Sequence, residues 1–250
     1  MPDSDYIVSN GETITSRSGD RMWKVPSGVT CYLPAGSVVT IRAGLIVIQG
    51  TIQGPAAGYS AGNGPGAGTS GGGAGHGGIG GNSGGGTGGG SDYGNPTDGT
   101  VYLGSGGGAG GVGVSGGAGG GAIALYAPVV IYSGTINVNG TSGANGVSAN
   151  GGGGGSGGTI LIEAHRVVYS GGSLYANGGN GGSATLNYTG GGGGAGGRIK
   201  IRAFELIGTP NYYVSGGAGG NSNFPGFPGQ NGTYQYVGGA DFRKVFGRGW

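Results

Sequence analysis

Three short stretches decide the reading of this chain: Gly120-Gly121-Ala122-Ile123-Ala124-Leu125-Tyr126-Ala127, Gly157-Gly158-Thr159-Ile160-Leu161-Ile162-Glu163-Ala164 and Gly196-Gly197-Arg198-Ile199-Lys200-Ile201-Arg202-Ala203. All share the form Gly-Gly-x-Ile-x-[Leu/Ile]-x-Ala. Apolar residues at period two predict β-strands with one face inward, and the variable residues between them are expected to face water. Ile160 and Ile162 should therefore be buried and Leu161 should lie on the other side. A second apolar run follows each copy: Val129-Val130-Ile131, Val167-Val168-Tyr169 and Phe204-Glu205-Leu206-Ile207. A third follows as Gly134-Thr135-Ile136-Asn137-Val138-Asn139-Gly140, Gly172-Ser173-Leu174-Tyr175-Ala176-Asn177-Gly178 and Tyr212-Tyr213-Val214-Ser215-Gly216. A glycine run then returns the chain to the next copy, at a spacing of roughly 40 residues that is typical of repeat architectures.

Outward from these repeats, residues 29–53 read as an earlier version, with short β-branched runs separated by Gly-containing turns. Thr233-Tyr234-Gln235-Tyr236-Val237 reads as the last strand. No amphipathic helix is expected, because glycine density and β-branching both oppose one. The expected fold is all-β: a right-handed β-helix-like solenoid with polyglycine II arms packed beside it. Residues 1–36 form an N-terminal attachment or capping segment in this reading, 37–239 the repeat body and 240–250 an aromatic-basic tail.

Glycine supplies 76 of the 250 residues, mostly in dense runs such as 71–81 and 151–158. Collagen is excluded, since it requires glycine at every third position with abundant proline, and only 10 prolines are present. Disorder goes with low hydrophobicity and high net charge, whereas this chain is 34% hydrophobic with a net charge of +2. Ordering glycine costs more backbone entropy than ordering any other residue. Without side chains to bury, compensation has to come from backbone hydrogen bonds. A polyglycine II helix has about three residues per turn and no internal hydrogen bonds, so its N–H and C=O groups point at neighbours.

The composition also narrows function. No Lys/Arg cluster is available to neutralise phosphates, so nucleic acid is not an expected partner. No apolar stretch approaches the ~20 residues of a membrane helix. The opening residues 1–5 lack the basic and apolar regions of a secretory signal. Cys31 is the single cysteine, which excludes an internal disulfide.

Candidate sites are few. His76 stands among glycines without ligand partners at metal spacing, and a hydrogen bond to a glycine-run carbonyl is the plainer reading. His165 is placed at a solvated corner. Asp92 and Asp98 flank Tyr93-Gly94-Asn95-Pro96-Thr97, a turn-like stretch in which they serve as loop braces. No catalytic residue, metal or cofactor is expected. Tyrosine presents a flat amphipathic surface at low entropy cost. Tyr59, Tyr93 and Tyr188, with Phe224 and Phe227 of the Phe-Pro-Gly repeat, are therefore the candidate receptor-binding loop residues. Trp23 beside Arg21 and Lys24, and Phe242, Phe246 and Trp250 of the tail, are the candidate docking or assembly residues.

The stretch 73–81 and the Gly-Gly-x-Ile-x-Ile-x-Ala motif resemble glycine-rich repeat proteins of bacterial surfaces and of phage tail fibres, over roughly residues 50–237. The resemblance implies a virion structural protein, a tail fibre or spike adhesin that turns variable loops toward the host. Its implied partners are a host cell-surface glycan or outer-membrane protein, and other virion fibre proteins or copies of itself. A bacterial extracellular matrix or filament subunit is the alternative, with an extracellular or cell-surface location. A polysaccharide-degrading tail spike is the second alternative.

Overall fold

A computed structural model describes residues 4–185 and 187–239. Strands β1 (Asp5–Ile7), β2 (Arg17–Val25), β4 (Val38–Ile48), β6 (Ala122–Tyr132), β8 (Thr159–Tyr169), β10 (Arg198–Ile207) and β12 (Thr233–Gly238) form one sheet in that order. The short strands β3 (Thr30–Tyr32), β5 (Thr51–Gln53), β7 (Thr135–Asn137), β9 (Ser173–Tyr175) and β11 (Tyr212–Tyr213) form a second sheet of five. Every pairing within both sheets is parallel. The repeated motif sets the register: Ile123, Ile160 and Ile199 stand side by side, as do Leu125, Ile162 and Ile201. With Ile52, Ile136 and Leu174 of the small sheet they form one core. Cys31 lies in that core, and burial pushes its thiol up to about 12.

The all-β class holds, but the expected β-helix-like solenoid does not. The chain builds two flat parallel sheets of seven and five strands. Between β5 and β6, residues 54–121 contribute a strand to neither sheet. A coil wound evenly around the sheets has no place for such an excursion. Glycine segments have no side chains with which to line a coil interior, so they satisfy their backbone groups on one another instead.

The run 152–158 shows how. Gly152, Gly155 and Gly158 donate their N–H groups to Ala144, Thr141 and Val138. Gly153 and Ser156 donate to Gly108 and Ser105, and Gly154 and Gly157 to Gly192 and Ala195. Successive amides thus address three neighbours in rotation, as an extended chain with three residues per turn does. The approach is too close for a side chain: a Cβ on Gly153 would lie 1.9 Å from the Gly72 carbonyl oxygen.

The excursion also overturns the expectation of a solvated outer face. Leu161, Thr159, Arg198, Lys200 and Glu163 are all buried. Segment 92–103 is clasped across that face. Thr159 Oγ1 donates to the Tyr102 carbonyl at 2.7 Å, Arg198 Nη2 to the Tyr93 carbonyl at 2.8 Å, and Lys200 Nζ to the Thr100 carbonyl at 2.8 Å. The first halves of β8 and β10 are thus buried on both faces. Residues 4–36 pack onto the body. Val8, Ile14, Trp23 and Leu33 belong to the common core.

Candidate functional site

Beyond the five-stranded sheet the repeats continue as extended triplets with a small residue at every third position, polar at all but Ala218: Asn139, Ser142 and Asn145, then Asn177, Asn180 and Ser183, then Ser215, Ala218 and Asn221. Three residues per turn place these positions on one face. Their side chains tie each layer to the next. Asn139 Oδ1 accepts from the Asn177 amide at 2.7 Å, Asn177 Oδ1 from Ser215 at 2.8 Å, Asn145 Oδ1 from Ser183 at 2.8 Å and Asn180 Oδ1 from Ala218 at 2.9 Å. This ladder was readable as Asn/Ser at three-residue spacing, a signal masked by the density of glycine.

At the far end of the triplets lie four adjacent tips, formed by 111–114, 146–150, 184–185 with 187–189, and 221–225. Ala184 donates its amide to Asn221 O at 2.9 Å, Thr189 pairs with Phe224, and Thr189 N donates to Asn150 Oδ1 at 2.9 Å. Ser115 O accepts from Ala144 N at 3.0 Å and brings the first tip alongside the second. Each tip raises an apolar side chain into solvent: Val112 is 102% exposed, Val147 78%, Tyr188 36% and Phe224 55%. A shallow depression among Ser183, Ala184, Thr185, Asn221, Ser222 and Asn223 lies in the same row. Residues 99–162, 167–197 and 208–239 contain no charged side chain, so the whole row is uncharged. The layers beneath it are held by the Asn/Ser ladder, which makes the support rigid.

Of the predicted loop residues, Tyr188 and Phe224 belong to this row. Phe227 follows it on the returning segment, exposed, with its amide bonded to Asn82 O at 2.9 Å. Tyr59 is exposed elsewhere, where its backbone bonds Gly104 and Gly119. Tyr93 is corrected from a binding residue to an internal strut. Its ring stacks on His76 at 4.6 Å, its hydroxyl donates to Leu103 O and accepts from Ser105 Oγ at 3.0 Å, and burial pushes its phenol up. Trp23 is likewise corrected from docking residue to core residue, being fully buried on β2. Phe242, Phe246 and Trp250 lie outside the described residues. Val112 and Val147 were missed because isolated valines in glycine-rich sequence carry no signal until the turns place them together.

The polar candidates are structural. His76 is buried, with Nδ1 2.7 Å from Gly157 O. His165 is exposed and stacks on Phe204 at 5.1 Å. Asp98 caps Thr100 and pairs with Lys200 at 3.1 Å, and its carboxyl is held below its ordinary value against the opposing cost of burial. Among the described residues no group of three or more His, Cys, Asp or Glu could hold a metal ion, and no helix is long and apolar enough to cross a membrane. No protein-family model, curated protein or solved structure matches the chain.

Proposed function

We propose that this protein is a virion structural protein, a tail fibre or spike adhesin whose glycine body turns the row of tips toward a host receptor. The observation that carries the reading is the row itself: Val112, Val147, Tyr188 and Phe224 exposed side by side on a hydrogen-bonded scaffold. Binding residues favour loops held by a rigid frame. Exposed apolar residues gathered at one place mark an interaction surface more than the same residues scattered. The lack of charge favours a neutral saccharide over an anionic one. Aromatic faces stack on sugar C–H groups, and Asn221, Ser222 and Asn223 offer amide and hydroxyl groups for its hydroxyls.

Adsorption of the purified protein to host cells tests the reading, with a melting curve for each variant. Replacing Tyr188 and Phe224 together by Ser should cut adsorption at least tenfold while the melting temperature stays unchanged. Unchanged adsorption in that double variant sinks the proposal.

A further inference from the structure

The two ends of the seven-stranded sheet are built differently. At the first end, β1 has only three residues, and the register of β2 shifts between Ser18 and Asp20. Ion pairs Arg21–Asp5 at 2.7 Å and Arg17–Asp20 at 3.0 Å sit along it. Short strands, irregular register and charge are the devices by which sheet edges avoid further pairing. Among the described residues the last end has none of them. β12 runs six residues in unbroken register with β10, and it contains no proline and no charged residue. Thr233 donates its amide to Gly197 O at 3.0 Å. Alternate residues of a parallel strand point to the same neighbour, so the N–H and C=O groups of Tyr234 and Tyr236 face away from β10, on the side where no strand of the described residues follows. The last layer also leaves its apolar residues half uncovered: Ile207 is 43% exposed, Tyr212 44%, Tyr213 45% and Tyr236 38%.

We propose that β12 pairs with β12 of a second copy about a twofold axis perpendicular to the sheets. Such an axis sets the two strands antiparallel and keeps each sheet in its own layer. The core of one copy then runs into the core of the other, and the uncovered tyrosines of both last layers are buried. An uncharged edge meets itself without like-charge repulsion. Head-to-tail stacking, which would give an open filament, has to use the charged and irregular first end. The interface is separate from the loop row and does not depend on receptor recognition.

Analytical ultracentrifugation of the full chain tests this. A concentration-dependent dimer is expected. Gln235→Lys places a charge beside its own symmetry mate without altering the backbone, and should weaken the dimer at least tenfold. Tyr236→Pro removes an edge-facing N–H and should do the same, while Tyr236→Phe keeps that N–H and should dimerise normally. A full chain that stays monomeric up to about 100 μM overturns the proposal. So does a dimer indifferent to both Gln235→Lys and Tyr236→Pro. A monomer that dimerises only when residues 240–250 are deleted overturns it too, by showing that the tail occupies the edge.

Discussion

His76 Nδ1 lies 2.7 Å from the carbonyl oxygen of Gly157, 81 residues away in sequence. A carbonyl can only accept, so Nδ1 carries the hydrogen, and Nε2 faces Thr159 Oγ1 at 3.4 Å. This one ring joins the excursion to the glycine run that leads into β8. Burial lowers its pKa to about 3, opposed by the Gly157 hydrogen bond and aided by the nearby Arg198 and Lys200 charges. The first prediction concerns pH. The unfolded chain takes up this proton near pH 6.5, and the folded protein does so only near pH 3. Between those values the unfolded state binds more protons, so the contribution is present in full above pH 6.5 and is lost as pH falls toward 3. Melting temperature should decline between pH 7 and pH 4, and His76→Gln should flatten that decline. An equal slope in both proteins refutes the assignment.

Burial of both faces of β8 gives the second prediction. Ile160→Asp should cost at least about 3 kcal/mol through an unpaired buried charge, and Leu161→Asp should also be damaging, because the covering segment leaves its carboxylate without water even though Lys200 stands beside it. Urea unfolding would measure both. A mild Leu161→Asp would mean that segment 92–103 does not cover this face.

The glycine body gives the third. A Cβ at Gly153 meets the backbone of Gly72, whereas Gly86, at φ +78°, has nothing within 4 Å. Gly153→Ala should prevent folding or lower the melting temperature sharply, because backbone on the far side cannot yield. Gly86→Ala should cost only about 1–2 kcal/mol, the penalty of a left-handed conformation. The ranking is read from thermal melts.

Hydrogen exchange supplies the fourth. Amides 152–158 belong to no strand or helix before Thr159, yet each has a backbone acceptor. Their protection should match that of the β8 amides. Exchange at unprotected-peptide rates would rule out the interlocked glycine body.

The fifth separates strut from contact. Tyr93→Ser should lower the melting temperature by removing the His76 stack and the Leu103 hydrogen bond, with adsorption unchanged in the molecules still folded. Tyr188→Ser should leave melting alone. The reverse pattern would return Tyr93 to the surface.

Much of the β architecture is legible in the sequence. Period-two apolar residues in Gly-Gly-x-Ile-x-[Leu/Ile]-x-Ala mark β6, β8 and β10, and their likeness implies the register that sets Ile123, Ile160 and Ile199 abreast. The third runs mark the short strands of the second sheet. The loop candidates Tyr188 and Phe224 were legible as aromatic residues among turn formers. Tyr93 was not distinguishable from them, because its burial comes from His76, Leu103 and Ser105, none of which its local sequence points to.

Sequence by itself determined the local conformations of this protein: strand from side-chain period, extended chain from glycine density, and turn from Gly, Asn and Pro. These depend on sterics within a few residues. Tertiary structure alone decided which partner each backbone group would meet. Glycine run 152–158 bonds three segments that nothing in its own composition distinguishes. It also decided that residues 54–121 leave the repeat and cover Leu161, which an alternating pattern assigns to water. Without side chains to discriminate among neighbours, a glycine segment finds its place only when all the surrounding backbone hydrogen bonds are satisfied together, and that is a property of the folded whole.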